Sequence, residues 1–356
     1  MRTSKPYITE VMIDRVASVM REGTISGFHA TEMEGGQYVQ EFEKAWADYH
    51  KVKHAIAVNS ATSGLITALR ALEIGSLSGR PMSKIPEWSG HQVITTPFTF
   101  SATWASIKLV GATPVFADVD LETMCLSPDD TYMKESGMTQ AVLTVNWNSN
   151  QCSIPKIKVS HIDDLAQCAG TPLQGDIGVY SLNQPKNIMT GEGGVITTND
   201  DELARRCKLI RNHGENIDPK WTGYNFRLTE IQAVIGIEQL KHLKRLNEIR
   251  HKNWVYLIKE LEEYQALFSP QKIICPDSYS PYCIAFRWLK EDRDEVANKL
   301  RAEGIPCVTG VNYLPASLPN ADKLQSQYLG FYQVGWPNTE EDMDDIIKGF
   351  KKVIDG

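Results

Sequence analysis

One lysine, Lys186, stands between a strand-like run and a glycine-rich turn in the stretch YSLNQPKNIMTGEGG. The run VYSL before it is apolar enough for a buried strand, and Gly191, Gly193 and Gly194 after it permit a tight turn into the next strand. A lysine amine held in such a place can form a Schiff base with a carbonyl compound. Taken alone, the stretch leaves a solvated surface lysine as the alternative.

Other predicted strand ends carry polar groups suited to related chemistry. The run IKVSHID ends in Asp163 and is followed by Asp164, with Gln167 three residues further on, and DIGVYSL supplies Ser181. HAIAVN leads into residues 60–63, SATS, at a predicted helix N-terminus, whose N–H groups favour an anion such as phosphate. Singly, these are more often turns or helix caps. Together, a lysine, a carboxylate and a phosphate cradle are the parts that a pyridoxal phosphate enzyme requires.

The elements that position these groups alternate between strands and helices over residues 50–200. Several candidate strands lack polar alternation, as expected when helices cover both faces of a sheet. The pattern predicts an α/β fold with an open, mostly parallel sheet, in which ligands bind beyond the carboxyl ends of the strands. We place a large α/β domain at residues 1–235 and a connecting helix with a small α+β C-terminal domain at 236–356, with the N-terminal helix able to pack on the small domain.

Composition excludes several classes of function. The 356 residues are 42% hydrophobic and 23% charged, with a net charge of −7 and no long run of lysine and arginine, so we expect no nucleic-acid partner. No apolar stretch approaches the roughly 18 residues of a membrane span, and the first residues do not resemble a secretory signal. We therefore predict a cytoplasmic protein without membrane attachment. Seven scattered cysteines and eight histidines show no metal-ligand spacing, so we expect no metal.

A series of motifs in one order resembles a known family. It runs through VNSATSGL, VITTPFTFSATWASIKLVGATPVFADVD, HIDDLAQCAG, GDIGVYSLNQPKNIMTGEGGVITTND, RNHG and GYNFRLTEIQAVIGIEQL. The series is similar to that of the DegT/DnrJ/EryC1/StrS aminotransferases, which depend on pyridoxal 5′-phosphate and act mostly on nucleotide-linked keto-sugars. The resemblance covers nearly the whole chain and implies the fold type I, or aspartate aminotransferase-like, architecture of pyridoxal phosphate-dependent transferases.

The resemblance also implies roles for individual residues. Lys186 would form the Schiff base with the cofactor and then shuttle a proton, and Asp164 would pair with the pyridine nitrogen. Asn225 in GYNFR would reach the cofactor phosphate of the neighbouring subunit, which implies a homodimer with shared active sites. The remaining implied cofactor-binding residues are Ala61, Thr62 and Ser181 at the phosphate, Gln167 beside the ring and Phe100 over one ring face.

We therefore expect transfer of an amino group from an amino acid, glutamate by resemblance, to a nucleotide-linked keto-sugar. Two departures from the family pattern leave the acceptor open: Asn183 and Asn312 stand where many members have histidine, and the region after Asn312 looks shortened. A cyclitol or a free sugar acid is the alternative acceptor. A non-catalytic regulator or scaffold of the same fold is a third hypothesis, disfavoured because Lys186 and Asp164 are both present. The long loop at 75–90 is a candidate lid, interface element or decoration.

Overall fold

The computed structural model describes residues 6–75 and 90–355, so the loop singled out at 75–90 lies outside the described residues except for its two terminal glycines. The strands and helices expected between residues 50 and 200 are confirmed. The helices are α1 (Glu10–Glu22), α2 (Gln37–His50), α3 (Ala61–Ala71), α4 (Ser101–Leu109), α5 (Pro128–Lys134), α6 (Asp201–Arg211), α7 (Glu230–Glu260), α8 (Arg293–Ala302), α9 (Pro319–Gln327) and α10 (Glu340–Asp355). The strands are β1 (His54–Val58), β2 (Gln92–Thr95), β3 (Thr113–Phe116), β4 (Thr139–Val145), β5 (Ser160–Leu165), β6 (Ile177–Ser181), β7 (Gly194–Thr198), β8 (Phe268–Pro270), β9 (Ile284–Trp288) and β10 (Tyr328–Phe331).

A seven-stranded sheet with the order β1-β7-β6-β5-β4-β2-β3 forms the centre of the larger part of the fold. Neighbouring strands from β6 to β3 pair in parallel, whereas β7 is antiparallel to both β6 and β1. All strands except β7 therefore point in one direction. Their carboxyl ends meet at one edge, where the sequence places its candidate functional groups.

Helices cover both faces of this sheet, as expected. Along β1, Ile56 and Val58 belong to a core cluster that also holds residues of α3 and α6, whereas Ala55 and Ala57 belong to a second cluster formed with α2 and α7. The alternation follows from the two-residue repeat of a strand. Burial on both faces explains why the strand sequences lack polar alternation.

A buried ion pair supports β1 at the edge of the sheet. The carboxylate of Glu43 in α2 accepts a hydrogen bond from Ala57 N (2.8 Å) and pairs with the guanidinium of Arg211 in α6. Arg211 Nη1 also donates to Ala57 O (3.1 Å). The pair therefore satisfies backbone groups of an edge strand that neighbouring strands leave unpaired.

The C-terminal part has its own antiparallel sheet, ordered β10-β9-β8, which packs with α8 and α10 in a third core cluster. Helix α7 joins the two parts: Leu243 and Leu246 lie in the second cluster and Leu257 lies in the third. The boundary that we placed between residues 235 and 236 falls inside α7 and stays a prediction. Helix α1 lies along α7, where Gln239 Nε2 donates to Tyr7 O (2.5 Å) just before α1 begins. Among the described helices, none has the length and apolarity needed to cross a bilayer.

Candidate active site

A cavity of about 940 Å³ lies at the carboxyl edge of the large sheet. Its other wall comes from the C-terminal part, chiefly residues 307–313 with Tyr282 and Tyr332. Most of the site residues expected from the sequence line this one cavity: Ala61, Thr62, Phe100, Asp164, Gln167, Ser181 and Lys186.

Lys186 follows β6 in a turn in which its backbone N–H donates to Asn183 O (2.9 Å). Its Nζ lies 4.3 Å from the centroid of the Tyr282 ring, within the range of a cation–π contact. Burial lowers the pKa of Lys186 to about 8, although the nearby carboxylate of Asp164 opposes the shift. About a tenth of the amine is therefore unprotonated at pH 7, far more than for an ordinary lysine, and this fraction can act as a nucleophile or base.

Asp164 is the buried carboxylate of the cavity. Its Oδ2 accepts a hydrogen bond from Thr103 Oγ1 (2.8 Å), and its Oδ1 accepts one from Ala166 N (3.1 Å). Burial raises the pKa of Asp164, whereas these two donors and Lys186 act in the opposite direction. The carboxylate is thus held in one orientation in a poorly solvated place, where it interacts strongly with a positive partner.

The adjacent Asp163 has a structural role, because successive residues of β5 point to opposite faces of the sheet. It accepts hydrogen bonds from Gln174 N (2.9 Å), Gly175 N (2.8 Å) and Thr144 Oγ1 (2.9 Å). Burial alone would raise the pKa of Asp163, but His161 and the backbone donors outweigh it and lower the pKa. The structure therefore separates the two neighbouring carboxylates into one that holds a loop and one that faces the cavity.

The N-terminus of α3 offers backbone donors to the cavity. Ser60 caps the helix by accepting a hydrogen bond from Ser63 N (3.1 Å), and within the described residues the N–H groups of Ala61 and Thr62 have no acceptor. A Cβ at Gly194, the first residue of β7, would lie only 2.8 Å from Ala61 N. The glycine thus lets β7 approach the helix start, and the N–H groups and helix dipole favour a bound phosphate.

Phe100, Gln167 and Ser181 complete the expected set. Phe100 immediately precedes α4 and is 69% exposed, so it is not a core aromatic and presents its ring to the cavity. Gln167 Oε1 accepts a hydrogen bond from Asn148 N (2.6 Å), and Ser181 Oγ accepts a weaker one from Asn183 N (3.3 Å). Their contact with a cofactor stays a prediction.

Asn225 lies outside the cavity. It is exposed, its Oδ1 accepts a hydrogen bond from Arg227 Nε (2.8 Å), and its backbone forms an isolated bridge with Asn212. Asn225 is expected to bind the cofactor phosphate of a neighbouring subunit, and a single chain does not contain that contact. That role remains a prediction.

Sequence reasoning missed many residues of the cavity, among them Asn146, Thr103, Tyr282 and Arg301. Asn146 directly follows β4, so the rule that located Asp164 at a strand end could have located it as well. Its Oδ1 accepts a hydrogen bond from Cys152 N (2.5 Å), which leaves its buried Nδ2 without a partner in the described chain. No comparable sequence signal marks Tyr282 or Arg301, which reach the cavity from the C-terminal part.

The cavity fits pyridoxal phosphate. It combines a lysine of lowered pKa, a buried carboxylate and unpaired N–H groups at a helix start, and the unpaired Asn146 Nδ2 is a further donor for an oxygen of a bound group. Within residues 6–75 and 90–355, no three His, Cys, Asp or Glu residues are grouped so as to hold a metal ion.

Comparisons with known proteins agree with this chemistry. The model of the DegT/DnrJ/EryC1/StrS aminotransferase family matches residues 7–347. The GDP-perosamine synthase of Caulobacter vibrioides is 30% identical, and the match covers 90% of this chain and 91% of that protein. An aminotransferase from Psychrobacter cryohalolentis has a similar structure, with a TM-score of 0.87 at 25% identity, covering 99% of this chain and 98% of the other. The structure of NtdA from Bacillus subtilis with bound cofactor PMP has a TM-score of 0.84 at 24% identity, covering 100% and 86%.

Proposed function

The chain belongs to the DegT/DnrJ/EryC1/StrS family of pyridoxal phosphate-dependent aminotransferases, and we propose that it transfers an amino group from glutamate to a keto-sugar carried on a nucleotide. The observation that carries the proposal is the placement of the Lys186 amine and the Asp164 carboxylate in one cavity beside the open N-terminus of α3. A regulator or scaffold without catalysis would not need all three together.

Pyridoxal phosphate, when bound, supplies an aldehyde that accepts and returns the amino group and a ring that takes up electrons. Ala61 N, Thr62 N and Ser181 would hold its phosphate. Asp164, oriented by Thr103 and Ala166, would hold the proton on the pyridine nitrogen. The exposed ring of Phe100 would cover one face of the cofactor ring and exclude water from it.

Lys186 carries the proton transfers in this proposal. Its pKa of about 8 lets Nζ accept a proton from a substrate carbon and return it near neutral pH. Tyr282 holds Nζ on the side of the cavity next to the C-terminal part, where the amino donor and the acceptor would enter in turn. The same amine thus serves both half-reactions.

Arg301 in α8 supports a nucleotide-linked acceptor. Its Nε and Nη2 donate to Cys307 O (3.3 and 3.1 Å) and its Nη1 donates to Asn298 Oδ1 (3.0 Å), and no carboxylate of the described residues pairs with it. A guanidinium without an acidic partner in the cavity wall suits a phosphate group. Tyr313 in the same wall is 63% exposed and offers a ring for a nucleobase. The similarity to a GDP-perosamine synthase points the same way.

A homodimer is part of the proposal, in which Asn225 of one subunit binds the cofactor phosphate of the other. Mixing inactive Lys186→Ala subunits with Asn225→Ala subunits tests this arrangement. A mixed dimer holds one site with both residues intact, so partial activity should return on mixing. If Asn225→Ala alone keeps full activity and cofactor affinity, the shared site is wrong.

Absorption spectra test the function as a whole. Adding pyridoxal phosphate should produce the visible band of a Schiff base, and glutamate should abolish it by converting the cofactor to its amine form. Lys186→Ala should give neither change, whereas Lys244→Ala, which removes an exposed lysine of α7, should behave as wild type.

The amine form should then be offered nucleotide-linked keto-sugars, free keto-sugars and keto-cyclitols, with mass spectrometry of the products. If only the free compounds are aminated, the acceptor is the alternative one, a cyclitol or a free sugar acid. A band in Lys186→Ala equal to that of wild type would contradict the assignment of the lysine.

A further inference from the structure

A second cavity, of about 270 Å³, borders Lys186 and Pro185 and is separate from the larger one. Lys186 is therefore reached from two cavities. The second cavity lies between the turn that follows β6 and helix α7. Its polar and aromatic lining, besides Lys186, consists of Tyr7, Gln184, Asn187, Gln239, Arg250 and Trp336.

Arg250 of α7 is the distinctive residue of this cavity, because it is a buried cation. The side chain is 5% exposed, and its Nη1 donates to Pro281 O (3.1 Å) and Tyr282 O (3.2 Å). Burial lowers the pKa of Arg250 to about 10, so the guanidinium remains charged at neutral pH. In the described part of the chain, no carboxylate pairs with it, and its hydrogen bonds both use Nη1, so Nε and Nη2 have no acceptor there.

The second cavity thus has an uncompensated positive charge. Arg250 is a permanent cation in its lining, and no aspartate or glutamate among the described residues lines it. Buried charges in proteins are normally paired, because an isolated ion loses its hydration without compensation. Two carbonyl dipoles compensate the guanidinium only in part.

We propose that the second cavity binds a small anion, a halide or the carboxylate of a small organic acid, on the guanidinium of Arg250. Nε and Nη2 form one edge of a guanidinium, and this edge binds a carboxylate with two parallel hydrogen bonds or a halide with two converging donors. The volume of about 270 Å³ has room for roughly nine water-sized groups at about 30 Å³ each, which suits a small anion and is too little for a nucleotide-linked sugar. The site is therefore different from the acceptor-binding wall around Arg301.

The test uses the enzyme with its cofactor bound, so that the phosphate cradle is filled, and sodium bromide as the probe. Trp336 lines the second cavity and reports on it through its fluorescence. At constant ionic strength we expect a saturable change in emission, which Trp336→Phe should lack. Sodium acetate, added to the bromide complex, then distinguishes carboxylates from halides as the ligand. Loss of the bromide signal identifies carboxylates as ligands, and persistence of the signal identifies halides.

Three variants separate a site from general salt effects. Arg250→Gln should weaken bromide binding by about tenfold or more, since it removes a charged donor. Lys259→Gln removes an exposed cation from the same helix and should bind as wild type. Because Arg250 also holds two backbone carbonyls, Gln184→Glu is the second route: it adds a carboxylate to the cavity wall, keeps Arg250, and should also weaken binding.

A change in emission that rises linearly with bromide and is equal in Arg250→Gln, Gln184→Glu and wild type would mean collisional quenching only. That result would overturn the proposal. Saturation in wild type with no loss in either variant would equally place the bound anion elsewhere.

Discussion

Replacing Thr103 by valine would remove one hydroxyl from the active site at nearly constant volume. Thr103 Oγ1 donates to Asp164 Oδ2 at 2.8 Å, and both residues are buried. A hydrogen bond to a charged group contributes roughly 1.5–3 kcal/mol, and one pKa unit corresponds to about 1.4 kcal/mol. The pKa of Asp164, already raised by burial, should therefore rise by about 1–2 further units in Thr103→Val.

The sign of the effect on stability follows from this shift. An acid whose pKa is higher in the folded than in the unfolded chain favours folding while it is protonated, and this contribution is lost as the pH rises towards the folded pKa. In Thr103→Val the pKa of Asp164 in the folded protein is higher still, so the loss of stability continues to a higher pH. Relative to wild type, its deficit in unfolding free energy should grow with pH by about 1.4 kcal/mol for each unit of extra shift.

Urea unfolding of the apoenzyme, followed by circular dichroism, measures this deficit at the acid end of the folded range and at about pH 8. Thr99→Val is the matched control, because Thr99 Oγ1 lies 2.8 Å from Thr103 Oγ1 and has no hydrogen bond with Asp164. Its deficit should be independent of pH. If Thr103→Val shows the same deficit at both pH values, the loss comes from packing and the electrostatic argument fails.

Two further predictions concern other parts of the structure. Arg301→Gln should raise the KM for a nucleotide-linked acceptor about tenfold and leave the rate of the glutamate half-reaction, followed in single-turnover spectra, unchanged. If both half-reactions are impaired equally, Arg301 lies outside the acceptor subsite. Glu43→Ala leaves Arg211 buried without its carboxylate, so it should lower the free energy of unfolding, measured with denaturant, by about 3–5 kcal/mol. Glu41→Ala, on the exposed side of α2, should lower it by less than about 0.5 kcal/mol. Similar losses in the two variants would refute the importance of the buried pair.

The site residues at or just beyond the carboxyl ends of strands were predictable because their placement depends on local order in the chain. Once strands and helices alternate, Thr62, Asp164 and Ser181 must lie at one edge of the sheet. The choice between Asp163 and Asp164 was harder. It depends on the register of β5 against β4, in which Asp163 lies opposite Thr144, and only the family resemblance selected Asp164, the carboxylate that lines the cavity, from the sequence.

The residues of the opposite wall could not be found in this way. Tyr282 and Arg301 lie about a hundred residues beyond Lys186, and packing of the C-terminal part decides whether they face the cavity. Asn225 shows a further limit, since its expected partner belongs to another subunit. The antiparallel direction of β7 was also not predicted, although the short glycine turn before it is compatible with a return strand.

Helix α7 has a consequence for how the molecule unfolds. Its 31 residues extend roughly 46 Å at about 1.5 Å per residue, with Leu243 and Leu246 in one core cluster and Leu257 in another. Loss of either cluster removes the packing that keeps this helix formed, so the free energies of the two parts are coupled through it. Heating should give a single cooperative transition in calorimetry. A gene fragment ending at residue 235 would lack side chains that complete the core of the large sheet, and its product should expose apolar surface and aggregate.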